Sequence, residues 1–152
     1  MPIAHLPGDL LMHYEDDAYT DPWREAETVI LQHGQAKSSA LWYAWVPLLA
    51  RDYRVIRVDA RGYGQSSVPE AGYEWSLEGF AADLRNLMDH LGIAGAHLIG
   101  ETVGGTFALA FAHSYPERTQ TLTLCQSPYK FRATPCTPPT SSWCANRVSK
   151  PG

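Results

Sequence analysis

A chain of 152 residues with 12 basic and 16 acidic side chains, 45% hydrophobic and 18% charged, has the make-up of about one globular domain with a core of its own. The net charge of −4 supplies no basic field for nucleic acid, and no apolar run approaches the roughly 18 residues that argue for a membrane span. Cys125, Cys136 and Cys144 match neither a disulfide framework nor a zinc pattern, and the N-terminus lacks the basic and apolar regions of a signal peptide, so the expectation is a reduced, cytoplasmic protein with no metal and no cofactor.

In chain order, residues 10–19 (Leu-Leu-Met-His-Tyr-Glu-Asp-Asp-Ala-Tyr) predict an early strand running into a turn at Glu15–Asp17. Asp21-Pro22-Trp23 reads as loop, since proline holds the residue before it extended. Thr28–Gln32 is a β-rich, mostly apolar run of the kind that suits a strand covered on both faces. It ends at His33-Gly34-Gln35. Ser38 and Ser39 are candidate caps for a helix through Leu41–Ala50, where Leu41, Trp45 and Leu48/Leu49 recur at helical spacing. Pro47 lies inside it and either kinks it or marks where it begins. Tyr53–Asp59 is a second β-rich run, closed by the turn Ala60-Arg61-Gly62-Tyr63-Gly64-Gln65-Ser66.

Ser76 is placed to cap a helix, with Glu78 in the first turn and Phe80, Leu84, Leu87 and Leu91 on one face. Gly92 stands where a left-handed C-terminal residue belongs. Ala96–Ile99 is a third strand, Thr106–Ser114 a helix whose small residues let it lie close to a sheet, and Thr121–Cys125 a fourth interior strand. Strands alternating with helices predict an α/β fold, a mostly parallel sheet flanked by helices with right-handed crossovers, and an antiparallel hairpin is expected at the N-terminus. After Glu117 there is no acidic residue, and from Arg132 onward come four prolines and two of the three cysteines. Residues 1–131 therefore read as the folded portion and 132–152 as an irregular tail.

The chemistry concentrates at Ala96–Gly105. A short apolar run meets Gly100, Gly104 and Gly105, and a helical pattern follows at once. Strand, sharp turn and helix in that order form a nucleophile elbow, Gly-x-Ser-x-Gly, with Gly100, Thr102 and Gly104 at the fixed positions and Thr where the motif has Ser. The competing reading is an ordinary glycine-rich turn between strand and helix. At an elbow the helix aims free N–H groups at the site, and the N–H of Val103 would receive an oxyanion. Threonine is a nucleophile when a base activates it, but a β-branched residue at positive φ is an outlier costing on the order of 1–3 kcal/mol. Glu101 is expected to point away from the site on so tight a turn, as a polar support or surface group and not as the base. His33-Gly34-Gln35 ends a strand whose Gln35 N–H is the second candidate donor; His33 reads as a structural histidine before a catalytic one. Trp42, Tyr43 and Trp45 could line a pocket, although their spacing is that of core residues.

Four motifs now stand in order: His33-Gly34; Asp59-Ala60-Arg61-Gly62-Tyr63-Gly64-Gln65-Ser66; Gly100-Glu101-Thr102-Val103-Gly104-Gly105; and Tyr115-Pro116-Glu117-Arg118. Over about residues 10–131 the chain resembles the α/β-hydrolase superfamily, and within it the esterase and enol-lactonase-like members. The resemblance implies that Asp59 and Arg61 are structural turn residues, and that a catalytic acid and a histidine base follow the nucleophile. After Thr102 the chain has only Glu117 and His113, both at the far end of the helix, about 15 Å away. The expectation is thus a truncated α/β-hydrolase fold, with a tail set by a coding change such as a frameshift near residue 131 or by a different short ending. A strand normally beyond Thr121–Cys125 would be missing, leaving a bare edge for self-association or else for coverage by the tail. Two functions follow. One is hydrolysis of a small-molecule ester or lactone by Thr102, with a base from His33 or a partner subunit. The other is an inactive relic that folds, self-associates or binds small carbonyl compounds.

Overall fold

The structure, a computed structural model, describes residues 2–128; the tail at 132–152, with Cys136 and Cys144, lies outside the described residues. Six strands form one sheet: β1 (Ile3–Leu6), β2 (Leu10–Asp17), β3 (Thr28–Gln32), β4 (Arg54–Val58), β5 (Ala96–Glu101) and β6 (Thr119–Cys125). Their order across the sheet is β1-β2-β4-β3-β5-β6. β1 and β2 are antiparallel to their neighbours, and β4, β3, β5 and β6 run parallel. The helices are α1 (Val46–Leu49), α2 (Leu77–His90) and α3 (Val103–Ser114), with short 3-10 turns at Ser39–Trp42 and Pro116–Arg118.

Alternation along the strands divides the core into two layers. Ile30, Ile56, Val58, Ala96 and Leu98 pack with Leu84, Leu87 and Met88 of α2 and Ala108 and Phe111 of α3. The intervening residues Val29, Leu31 and Val55 face the other way, onto Trp42, Val46 and Ala50. β3 lies between β4 and β5 and is buried along its whole length, as its unbroken apolar run requires.

One expectation is corrected at the N-terminus, where the antiparallel hairpin forms as expected. The turn at Glu15–Asp17 does not form, and β2 continues through Asp17. The reason is cross-strand charge pairing: Arg54 of β4 holds Asp16 at 2.7 Å and Arg57 holds Asp17 at 2.7 Å. The hairpin partner of β2 is β1, a run of only four residues in which Ala4 and Leu6 point inward. The expected helix over Leu41–Ala50 is broken into a 3-10 turn and α1, which begins at Val46 with Pro47 in its first turn. There a missing N–H costs nothing. Ser76 caps α2 by accepting the Gly79 N–H at 3.0 Å, and Gly92 takes φ 66° just beyond its end. β6 pairs with β5 alone, so its outer edge is unpaired among the described residues.

Candidate active site

Strand order alone points to one place on the molecule. The chain passes from β3 to β4 on one side, then crosses back over β3 to β5 on the other. In open α/β sheets a crevice forms at such a reversal, outside the carboxyl ends of the strands. Those ends are His33-Gly34-Gln35 after β3 and Glu101-Thr102 after β5.

Thr102 is the hinge between β5 and α3, with φ 50° and ψ −119°. That conformation is disfavoured for any residue with a Cβ and more so for a β-branched one. It is held on both sides: the Thr102 N–H donates to the Cys125 carbonyl at 2.9 Å, and the Thr102 carbonyl accepts from the Gly105 N–H at 3.1 Å. Three glycines let three segments meet here. A Cβ on Gly100 would come within 2.6 Å of the Gly105 nitrogen, and one on Gly104 within 2.6 Å of the Gln32 carbonyl oxygen. A Cβ on Gly34 would lie 2.9 Å from the Glu101 carbonyl oxygen and would strike Thr102 Oγ1 as well.

Two backbone donors border this contact. Val103 is the first residue of α3, so its N–H has no intrahelical acceptor. The Gln35 N–H meets no acceptor among the described residues, and the turn carrying it continues through Ala36 at φ 58°.

The orientation of Glu101 corrects the sequence reading. Its carboxylate turns back over the elbow. Oε2 accepts from Thr102 Oγ1 at 3.3 Å, and Oε1 is paired with Lys37 Nζ at 2.7 Å. The Lys37 ammonium, on the segment beyond Gln35, draws the carboxylate inward, and the Glu101 side chain is left only 16% exposed. Lys37 carried no signal in the sequence, since its partner lies 64 positions away.

His33 is 1% exposed and both ring nitrogens are engaged: Nδ1 donates to the Gly34 carbonyl at 2.7 Å and Nε2 accepts from the Ala60 N–H at 3.1 Å. Burial lowers its pKa, outweighing the opposing pull of the Gly34 carbonyl and of Asp59 and Glu101. The neutral ring joins the ends of β3 and β4 and has no nitrogen left for Thr102.

The turn after β4 is scaffold of the same kind. Burial disfavours the Asp59 carboxylate, but N–H groups of Gln65 and Ser39 and the His13 ring hold it ionised, with its pKa below the usual range. Those contacts are 2.9 Å from Gln65, 2.5 Å from Ser39 and 2.9 Å to His13 Nδ1. Arg61 forms a two-pronged pair with Asp83 of α2, at 2.8 and 2.5 Å, and both are nearly buried. His113 sits in the last turn of α3, eleven residues past Thr102, or about 16 Å along the axis. Glu117 follows in the 3-10 turn beyond.

Of the three aromatics, Trp42 is buried and packs edge-to-face on Trp45 with ring centroids 5.1 Å apart, whereas Tyr43 is exposed. Tyr43 lines an open groove with Tyr19, Val46, Pro47, Arg51 and Arg57, which no elbow residue reaches. Among the described residues no cluster of His, Cys, Asp or Glu could hold a metal ion, and no helix is long and apolar enough to cross a membrane.

A family model for the alpha/beta hydrolase fold matches residues 27–143. A 2-hydroxy-6-oxononadienedioate/2-hydroxy-6-oxononatrienedioate hydrolase of Paraburkholderia phymatum is 41% identical over 111 residues, which are 70% of this chain and 38% of that protein. Bifunctional epoxide hydrolase 2 of Sus scrofa is 36% identical over 105 residues, 66% of this chain and 18% of its own length. The crystal structure of an enol-lactonase from Burkholderia xenovorans superposes with a TM-score of 0.70 at 30% identity, covering 78% of this chain and 44% of that one. The chain thus spans less than half of each of these proteins.

Proposed function

The chain belongs to the α/β-hydrolase fold family, and from that premise we propose that it is a hydrolase acting on carboxylic esters or lactones by nucleophilic acyl transfer. Thr102 is the nucleophile in this reading. The N–H groups of Val103 and Gln35 form the oxyanion hole, while His33, Gly34, Gly100, Glu101 and Gly104 support it. Thr102 Oγ1 attacks the carbonyl carbon, the carbonyl oxygen takes up negative charge between the two N–H groups, and the positive end of α3 adds to them. A base takes the proton that the Thr102 hydroxyl gives up and passes it to the leaving oxygen, which departs as the alcohol when the intermediate collapses, and water then releases the acyl group. The names of the relatives cover a dienedioate, an epoxide and an enol-lactone, so the substrate is proposed only as a class.

One observation carries the reading: Thr102 is held at φ 50°, ψ −119° at the switch point of the sheet. Backbone strain of this kind persists where surrounding structure over-determines it, and it gathers at active sites. The test is turnover of a short p-nitrophenyl ester by the native chain, Thr102→Ala and Thr102→Ser. Thr102→Ala is expected to abolish turnover and Thr102→Ser to raise it. Turnover that survives Thr102→Ala overturns the assignment.

A second reading, a non-catalytic domain that binds small carbonyl compounds, is favoured by the state of the histidines. His33 has both ring nitrogens in use and His113 lies at the far end of α3. Absence of turnover in Thr102→Ser as well would favour this reading. We also propose that the unpaired edge of β6 pairs with β6 of a second copy, because a bare strand edge is a template for another strand.

A further inference from the structure

We propose that the ion pair between Lys37 and Glu101 sets the position of the second oxyanion donor, and that Lys37 is a positioning residue acting through the backbone of Gln35. The inference deepens the reading of Thr102 as nucleophile, with the Val103 and Gln35 N–H groups as its oxyanion hole, and rests on that reading. The two donors come from different parts of the chain. Val103 opens α3, so the elbow and the first helical turn fix its N–H. Gln35 belongs to no strand or helix, and something other than a regular backbone ladder has to place it.

The segment is held at both ends. Upstream, the His33 ring donates to the Gly34 carbonyl at 2.7 Å and accepts the Ala60 N–H at 3.1 Å. Downstream, the Ser39 N–H donates to the Asp59 carboxylate at 2.5 Å, and Ser39 is buried. Gln35, Ala36 and Lys37 between them are exposed, and stretches with few buried contacts are the first to open. The turn also runs through Ala36 at φ 58°, left-handed backbone that a residue with a Cβ keeps only where its surroundings impose it.

Among the described residues, the side-chain bond that joins this exposed stretch to the elbow runs from Lys37 Nζ to Glu101 Oε1, at 2.7 Å. Glu101 is suited to be the anchor: it ends β5 immediately before Thr102, and its side chain is 16% exposed. Gly34 lets the loop pass against the elbow, since a Cβ there would strike Thr102 Oγ1 and Glu101 Oε2, and the ion pair closes over that contact. An oxyanion hole works by holding its donors in place before charge develops. A loose Gln35 would therefore weaken the transition state more than the bound ester. Global stability is a separate matter, because an ion pair with an exposed partner adds little to it.

The test joins NMR relaxation of the backbone amides to turnover of p-nitrophenyl acetate, in Lys37→Met, Glu101→Gln and the double variant. Each is compared with its parent, the native chain or Thr102→Ser, whichever turns the ester over. Glutamine at 101 keeps an oxygen for the Thr102 hydroxyl but has no charge for Lys37. In all three variants the order parameters of the Gln35 and Ala36 amides are expected to fall from about 0.85 to below about 0.6. Losing a donor outright costs about 10²–10³-fold in kcat, so a displaced one is expected to cost at least about tenfold, with KM held within about twofold. The double variant should match the singles, since a pair broken once cannot be broken again, and urea midpoints should barely move. Unchanged order parameters at residues 35 and 36, a kcat that Lys37→Met leaves intact, or a rise in KM alone each overturn the inference. So does a double variant that regains kcat, because the loss then belonged to an unpaired Glu101 charge and not to the loop. All four results leave Thr102 as nucleophile. Absence of turnover in both parents overturns that reading and this inference with it.

Discussion

Replacing Thr102 by glycine should make the protein more stable and inactive at once. Thr102 holds φ 50° and ψ −119°, a conformation open to glycine and costly to a residue with a Cβ. Strain of this kind costs about 1–3 kcal/mol, and glycine would release it. Against this stand the unfolded-state entropy of glycine, about 0.5–1 kcal/mol, and the loss of one hydrogen bond of 3.3 Å to Glu101, worth about 0.5 kcal/mol at that length. Thr102→Ala separates these effects, since it also loses the hydroxyl but keeps the Cβ that causes the strain. Thr102→Gly is therefore expected to exceed Thr102→Ala by about 1 kcal/mol, or about 2–4 °C in Tm for a chain of this size. Urea unfolding followed by circular dichroism reads it as a shift of midpoint at constant slope. Should Thr102→Gly prove no more stable than Thr102→Ala, the elbow stores no strain and the reasoning from strain to function fails.

Gly104→Ala, which in an ordinary helix would be favourable, is expected to destabilise by about 1–3 kcal/mol, because the added methyl lands on the carbonyl oxygens of Gln32 and His33; urea midpoints check it, and turnover should fall with them. Asp83→Ala leaves the nearly buried Arg61 guanidinium without its two-pronged partner and should cost about 3–5 kcal/mol, a loss that Arg61→Met in the same chain partly recovers. His33 binds its proton at lower pH when folded than when unfolded, so the unfolded chain takes up more protons between the two values. Stability should therefore be full above about pH 6.5 and fall as pH drops below it; a stability that stays flat from about pH 7 down to pH 5 contradicts a buried neutral His33. For the edge of β6, Thr123→Lys places a charge on the free strand, and light scattering should show a self-associated native chain and a monomeric variant; a native chain that is already monomeric refutes the pairing.

Where the sequence was legible, one local rule dominated. β3 is an apolar run of five residues buried throughout, and α2 carries a serine cap at one end and a left-handed glycine at the other, so period and cap agree with the final fold. The elbow was legible because its glycines mark it out before any contact is known. The β1–β2 hairpin was harder to read: Glu15-Asp16-Asp17 has the composition of a turn, and only arginines about 40 positions away turn it into strand. Helix 41–50 broke where Pro47 allowed two readings, and packing of Trp42 and Val46 on the sheet chose one.

The orientation of Glu101 could not be read for a deeper reason. A residue beside a tight turn is expected to point to solvent when only the turn is considered. Here the loop after β3 crosses the mouth of the turn and brings a cation with it. The close approach that makes Gly34 necessary is the same approach that carries Lys37 to Glu101, so the glycine and the ion pair are one feature seen in backbone and in charge. A motif states which backbone is needed at each position. It does not state which side chain from a distant strand will stand over it. At this elbow that second fact sets a carboxylate beside the hydroxyl of Thr102, and it becomes visible only once β3 and β5 lie side by side.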